Sequence, residues 1–177
     1  MKNILFAIML LFSTTAMAQR LSVLGIEMGT GIGKAERILN ERFGEFNVYR
    51  TGYTELSIYN ALVGGTEFSS IGFEFQYERR GDEIYTYLYY VDMQNHFNSY
   101  DNAKFMFNSW MEKLGNKYTE TTIKDFYYDN QEGTGCTIWY EEGVALHLSY
   151  GESKGGNFYW YVHVTYHKNF IDESNDY

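Results

Sequence analysis

Proline is absent from this 177-residue chain, and cysteine occurs once. With no ring-locked φ available, chain reversals must rest on the 17 glycines together with Asn and Asp. A lone Cys136 excludes an internal disulfide, so the core alone must hold the fold. Basic charge is also scarce. Lys and Arg total 14 against 23 Asp and Glu, a formal net charge of −9. That balance argues against nucleic acid, whose binding is dominated by phosphate neutralisation, and against adsorption to anionic membranes. The acidic excess is read as solvation. Long apolar runs are missing too, apart from Ile4 to Phe12, which is well short of the ~20 residues of a spanning helix.

That one run has an instructive setting. Lys2 precedes it, and Ser13-Thr14-Thr15 followed by the small-x-small triplet Ala16-Met17-Ala18 closes it. This is the layout of a secretory signal peptide, with cleavage after Ala18. Removing residues 1–18 leaves 159 of the 177 residues, beginning at Gln19, and loss of Lys2 takes the charge from −9 to −10. No Cys follows the cleavage point, so no lipid anchor is expected there. The expectation is a periplasmic or secreted protein with no membrane span. A chain of that size suits one domain, or two small modules on one core, burying roughly 68–70% of its unfolded surface.

What the chain has in quantity is aromatic side chain: 18 Tyr and 13 Phe within an aromatic fraction of 19%. Such residues favour half-buried pleated surfaces and exclude disorder for most of the chain. Two stretches nevertheless carry helical spacing. In the first, about 31–43, Ile32, Ala35, Leu39 and Phe43 form a stripe, with Thr30 as N-cap and Gly44 as C-terminal stop. In the second, about 101–118, the stripe is Ala103, Met106, Phe107, Trp110, Met111 and Leu114, capped by Ser99 or Asp101. Elsewhere the period is two. Ile71, Phe73, Phe75 and Tyr77 alternate with polar residues; a turn at 78–83 leads into a strand over 84–91. Cys136, Ile138 and Tyr140 alternate likewise, then Glu142-Gly143 turns into Val144, Leu146, Leu148 and Tyr150. A loop at 151–156 precedes Phe158, Trp160, Val162, Val164 and Tyr166 on one face. Weaker strands are expected near 54–62 and 121–129, and a polar, fraying tail over 172–177.

The order is helix, strands, helix, strands. A shift of 71 residues lays Glu41-Arg42-Phe43-Gly44 over Glu112-Lys113-Leu114-Gly115. The expected architecture is therefore α+β: two similar modules, 19–97 and 98–171, each a helix followed by antiparallel strands, with both helices on one face of the sheet. The opening Leu24-Gly25-Ile26-Glu27-Met28-Gly29, the helix end Leu39 to Gly44 and the strands after it resemble the module of the small lipoprotein subunit of the outer-membrane barrel-assembly machine. In tandem, over about 22–167, the order is similar to the β-lactamase inhibitor protein, in which two such modules form a concave sheet that grips another protein. The resemblance implies an accessory or binding protein and not an enzyme. The inhibitor's disulfides cannot form with one Cys, the lipoprotein's anchoring Cys is absent, and no functional residue carries over.

Motifs for chemistry are thin. Gly29-Thr30-Gly31-Ile32-Gly33-Lys34 misses both nucleotide patterns: the P-loop positions fall on Met28 and Ala35, and the third glycine of the dinucleotide fingerprint is Lys34. His163 and His167 share a strand face with His147 on the strand before. Registers that align the apolar faces place His147 opposite Tyr159 or Tyr161, too far from His163 for one zinc ion. No metal or cofactor is expected. Cys136 falls in phase with core residues and reads as a small hydrophobe. Asp129 to Gly133 misses the EF-hand pattern and reads as a turn.

The informative feature is the second side of the sheet. If both helices cover Phe73, Phe75, Leu88, Ile138, Leu146, Leu148, Trp160, Val162 and Val164, the other side presents Tyr85, Tyr87, Tyr89, Trp139, His147, Tyr159, Tyr161 and His163. One-sided antiparallel sheets ordinarily put polar residues there; Tyr and Trp are instead the residue types of binding surfaces. Cross-strand pairing that merely stabilises the sheet, or burial under the 44–56 segment, are the structural alternatives. The functional expectation is non-catalytic binding of a protein, or of a glycan, on this face. The rivals are an unrecognised hydrolase or metal-dependent enzyme, and an envelope scaffold component that adds a partner to a strand edge. Export makes the first prediction: N-terminal sequencing of the protein recovered from expressing cells reads Gln19 first, and a retained Met1 would remove the export reading.

Overall fold

A computed structural model describes residues 21–118, 120–124, 135–140, 143–153 and 155–168. The expected signal peptide, the turn at 129–133, Glu142 and the tail over 172–177 lie outside these residues. Within them the fold is α+β. A small hairpin of β1 (Ser22–Val23) and β2 (Ile26–Glu27) leads into α1 (Ile32–Phe43), then β3 (Val48–Thr51), β4 (Glu55–Val63), β5 (Thr66–Arg80) and β6 (Glu83–Phe97). Next come α2 (Tyr100–Gly115), β7 (Glu120–Lys124), β8 (Cys136–Tyr140), β9 (Val144–Glu152) and β10 (Phe158–His167). The last eight strands form one antiparallel sheet in the order β3-β4-β5-β6-β10-β9-β8-β7. Each helix thus precedes four strands that pair in chain order, and the two fourth strands, β6 and β10, meet in the middle.

Each helix buries the stripe that its spacing dictates, with differences at the ends. In α1, Ile32, Ala35 and Leu39 are buried. Thr30 does not cap it. Gly31 occupies that position without a side-chain bond, and the orphan N–H of Ile32 donates to Thr86 Oγ1 of β6 at 2.9 Å. Gly44, at φ 88° and ψ 144°, ends the helix in a backbone conformation that its missing Cβ permits. Ser99 caps α2, accepting from the Asn102 N–H at 3.3 Å, and the helix stops at Gly115, before Tyr118. Met111 is not in its buried stripe: it is exposed beside the buried Trp110.

All nine residues assigned to the helix-covered face are buried. Both helices contribute to the same core as that face. The β5–β6 hairpin departs from expectation. Its turn is only Gly81-Asp82, and residues 78–80 continue β5. β4 pairs β5 no further than Glu55↔Glu74, while β10 pairs β6 only over residues 90–97. The hairpin therefore extends past both neighbours as a two-stranded ribbon. Tyr77, in phase with Phe73 and Phe75, lies on that ribbon and is 59% exposed.

Adjacent residues on β5 should respond oppositely to truncation and extension. Phe73→Ala removes a fully buried ring and is expected to cost about 3–5 kcal/mol in chemical denaturation. Gly72 points to the other face, and a Cβ there meets nothing within 4 Å. Gly72→Ala is expected to add about 0.5–1 kcal/mol.

Candidate binding face

A bulge in β6 sets the composition of the uncovered face. The β5–β6 register passes from Phe75↔Leu88 to Glu74↔Tyr90, leaving Tyr89 as the extra residue. Leu88 and Val91 both stay in the core. The outer side of β6 accordingly carries Tyr85, Tyr87 and Tyr89 before the bulge, and Tyr90, Asp92, Gln94 and His96 after it. β10 adds Tyr159, Tyr161, His163, Thr165 and His167 to the same side, β9 adds His147, and β8 adds Thr137 and Trp139. All eight residues singled out from the sequence lie here and none is buried: Tyr85 is 46% exposed and the others partly exposed. The 44–56 segment does not cover them. It forms a 3-10 turn, the sheet-edge strand β3 and the start of β4.

The aromatic residues divide into two groups. On one side His96, Tyr159 and Tyr161 pack edge to face, with centroids 5.2 Å and 6.4 Å apart. On the other, Tyr89, Tyr90 and His167 form a cluster at 6.1–6.4 Å. Tyr161 pairs with His96, nine positions from Tyr87 along β6 with one bulge between. At roughly 3.3 Å per residue the groups spread over about 25–30 Å.

Between them runs a polar row that crosses four strands. Thr137 Oγ1 of β8 meets His147 Nδ1 at 3.0 Å, and His147 Nε2 meets Thr165 Oγ1 of β10 at 3.1 Å. Thr165 stands opposite Asp92 of β6, whose two oxygens lie 2.9 and 3.1 Å from His163 Nδ1. This corrects the expected register: His147 is directly opposite His163, not Tyr159 or Tyr161. β9 runs on to Glu152, β10 begins at Phe158, and the Ser153 N–H donates to the Asn157 carbonyl at 2.7 Å, farther out than the 151–156 loop expected. The two histidines nonetheless bond to different partners. Among the described residues no group of three or more His, Cys, Asp or Glu is placed to hold a metal ion.

The surroundings favour the neutral forms of His147, Tyr85, Tyr89 and Tyr90. Burial, then the neighbouring His163, hold His147 below its usual value, against the pull of Asp92. Both of its nitrogens meet hydroxyls, so the neutral ring donates through one and accepts through the other. Tyr89 donates to Glu74 Oε2 at 2.6 Å, which raises its pKa, and burial with nearby Asp92 pushes Tyr90 up to about 12. Tyr85 likewise donates to Glu83. Cys136 is buried and its thiol pushed up, against a nucleophilic role. The 29–31 glycine segment is tied to β6: Gly29 N–H donates to the Leu88 carbonyl at 2.8 Å, and Leu88 N–H to that of Thr30 at 2.9 Å.

Sequence reasoning missed Tyr90, Asp92 and His96. The available signal was the three-residue spacing of Leu88 and Val91, which breaks the period of two. No protein family, curated protein or solved structure matches the chain.

The depressed His147 value has a definite sign. Between the folded value and the usual 6.5 the unfolded chain binds the proton more readily, so stability falls as pH drops through that window. Melting temperature is expected to fall on acidification below about pH 6.5, less steeply in His147→Gln. Identical slopes in both proteins would place the titration elsewhere.

Proposed function

We propose that this chain is an exported, non-catalytic binding or accessory protein of the cell envelope that recognises a protein partner through the outer face of its sheet. The observation that carries the reading is the aromatic character of a sheet face that no described element covers. Polar residues ordinarily solvate such a face; rigid Tyr and Trp rings, with neutral hydrogen-bonding tips, offer contact area at low entropic cost. Its extent favours a protein over a glycan. Groups spread over about 25–30 Å exceed the footprint of one sugar ring and match a patch of roughly 800 Å² per partner. The tilted and edge-to-face ring pairs also offer no coplanar platform for sugar stacking. Export rests on the order of residues 1–18. Two helix-then-four-strand runs support a tandem of one module, in line with the resemblance to the inhibitor-type fold.

Photo-cross-linking in expressing cells tests the reading. A benzophenone side chain replacing Tyr85 is expected to trap a discrete protein adduct, and one replacing Phe105, 77% exposed on α2, to trap none. Tyr87→Ser with Tyr161→Ser should abolish the Tyr85 adduct. Partly exposed cross-strand aromatics contribute roughly 0.2–1 kcal/mol each, so stability should fall by no more than about 2 kcal/mol. A much larger loss would make the rings structural, and equal labelling from both faces would remove the site.

A further inference from the structure

At the ribbon end of this face the sheet contains an arrangement that stability alone does not favour. Glu55 of β4 and Glu74 of β5 are direct cross-strand partners. Like charges so placed, with Cβ atoms about 4.5–5.5 Å apart, destabilise a sheet. Hydroxyl groups hold both in place: Ser57 Oγ donates to Glu55 Oε1 at 2.9 Å, and Tyr89 to Glu74 Oε2 at 2.6 Å. Among the described residues neither carboxylate pairs with Lys, Arg or His. Beside them opens a depression of about 550 Å³, walled by Tyr87 and Tyr89 of β6 and by Gln76 of β5. The β6 bulge contributes directly, since Tyr89 is its extra residue.

Two carboxylates and the π-faces of tyrosines favour the same kind of occupant, a positive charge attached to a flat or apolar body. A free anion is repelled, and an uncharged apolar group leaves both carboxylates without a counter-charge. Guanidinium fits better than ammonium, because its planar fork can meet two carboxylates while its faces lie on aromatic rings. The formal charge of −9 adds a long-range attraction for cations. We infer that the Glu55–Glu74 depression is the socket for an arginine side chain of the partner protein. This deepens the reading of the outer face as a recognition surface and rests on it.

The socket can be tested separately from the face. Backbone amide shifts of the mature protein are followed by NMR during titration with blocked arginine, acetyl-arginine methylamide. The same-shaped neutral citrulline derivative serves as control. Shifts centred on Glu74 and Tyr89 are expected with arginine, and binding at least about tenfold weaker with citrulline. Glu55→Gln with Glu74→Gln should weaken the arginine response about tenfold while the melting temperature stays or rises, because a like-charge pair is removed. Equal responses to arginine and citrulline, an unchanged response in the double variant, or a marked loss of melting temperature would each overturn the socket. Free arginine binding much more tightly than the blocked form would reassign it to a small molecule and overturn the partner's arginine. Adducts from Tyr85 without any arginine response would leave the face standing and sink the socket; an arginine response without adducts would sink the protein-binding reading.

Discussion

Eight paired positions, from Trp160↔Phe97 to His167↔Tyr90, join β6 to β10 and make one sheet out of two four-stranded runs. Everything else in the molecule depends on that seam. No disulfide supplements it, as the lone Cys136 is buried and free. Each half on its own would be a helix on four strands within fewer than about 80 residues, a size at which a single core is marginal. Through the seam, buried residues of both halves join one cluster: Leu39 and Phe73 from the first, Trp110 and Val162 from the second. The seam also puts Asp92 beside His163, 71 residues away in sequence. The central polar contact of the outer face is therefore a consequence of how the halves are joined.

The same dependence explains why the two sides of the sheet differ so sharply. One side is closed by α1 and α2 and contains the buried aliphatic and aromatic core. The other keeps its rings only partly covered, packed edge to face against one another. The Thr137–His147–Thr165 line with the Asp92–His163 pair stitches four strands together in the middle of that aromatic surface. A hydrogen-bonded pair with side-chain exposures of 25% and 27% is a weak source of stability compared with apolar packing. Its effect is to tie β6 to β10 by side chains at the centre of the outer face.

Which residue faces which side was legible in the sequence; which residue faces which neighbour was not. A hairpin slip of two positions leaves every side chain on its own face, because the pleat has a period of two. Trp160, Val162 and Val164 are thus read correctly as core whether His147 stands opposite Tyr161 or His163. Only the exact turn fixes that choice, and Ser153–Asn157 could not be told from Gly151–Gly156 by composition. The β6 bulge hid for a similar reason: a period-two reading of the strand ends at Leu88 unless Val91 is taken as a change of phase. The helix stripes were legible because 3.6-residue spacing is local. The first helix's start was not, since its orphan N–H is satisfied by Thr86, 54 residues away.

Local rules are broken at two places on the outer face. Glu55 stands opposite Glu74, where a sheet selected for stability would place opposite or neutral partners. Tyr89 is inserted by a bulge next to that pair and donates to one of its carboxylates. The helix-covered side has a conflict of its own, since Trp110 Nε1 of α2 is buried without a hydrogen-bond partner among the described residues, while its helix starts meet Thr86 and Ser99. Conflicts between local preference and global fold concentrate where a surface serves something other than folding. On the outer face, the paired carboxylates and the bulge are features that self-packing of the rings does not require, and they are the ones on which the proposed recognition surface rests.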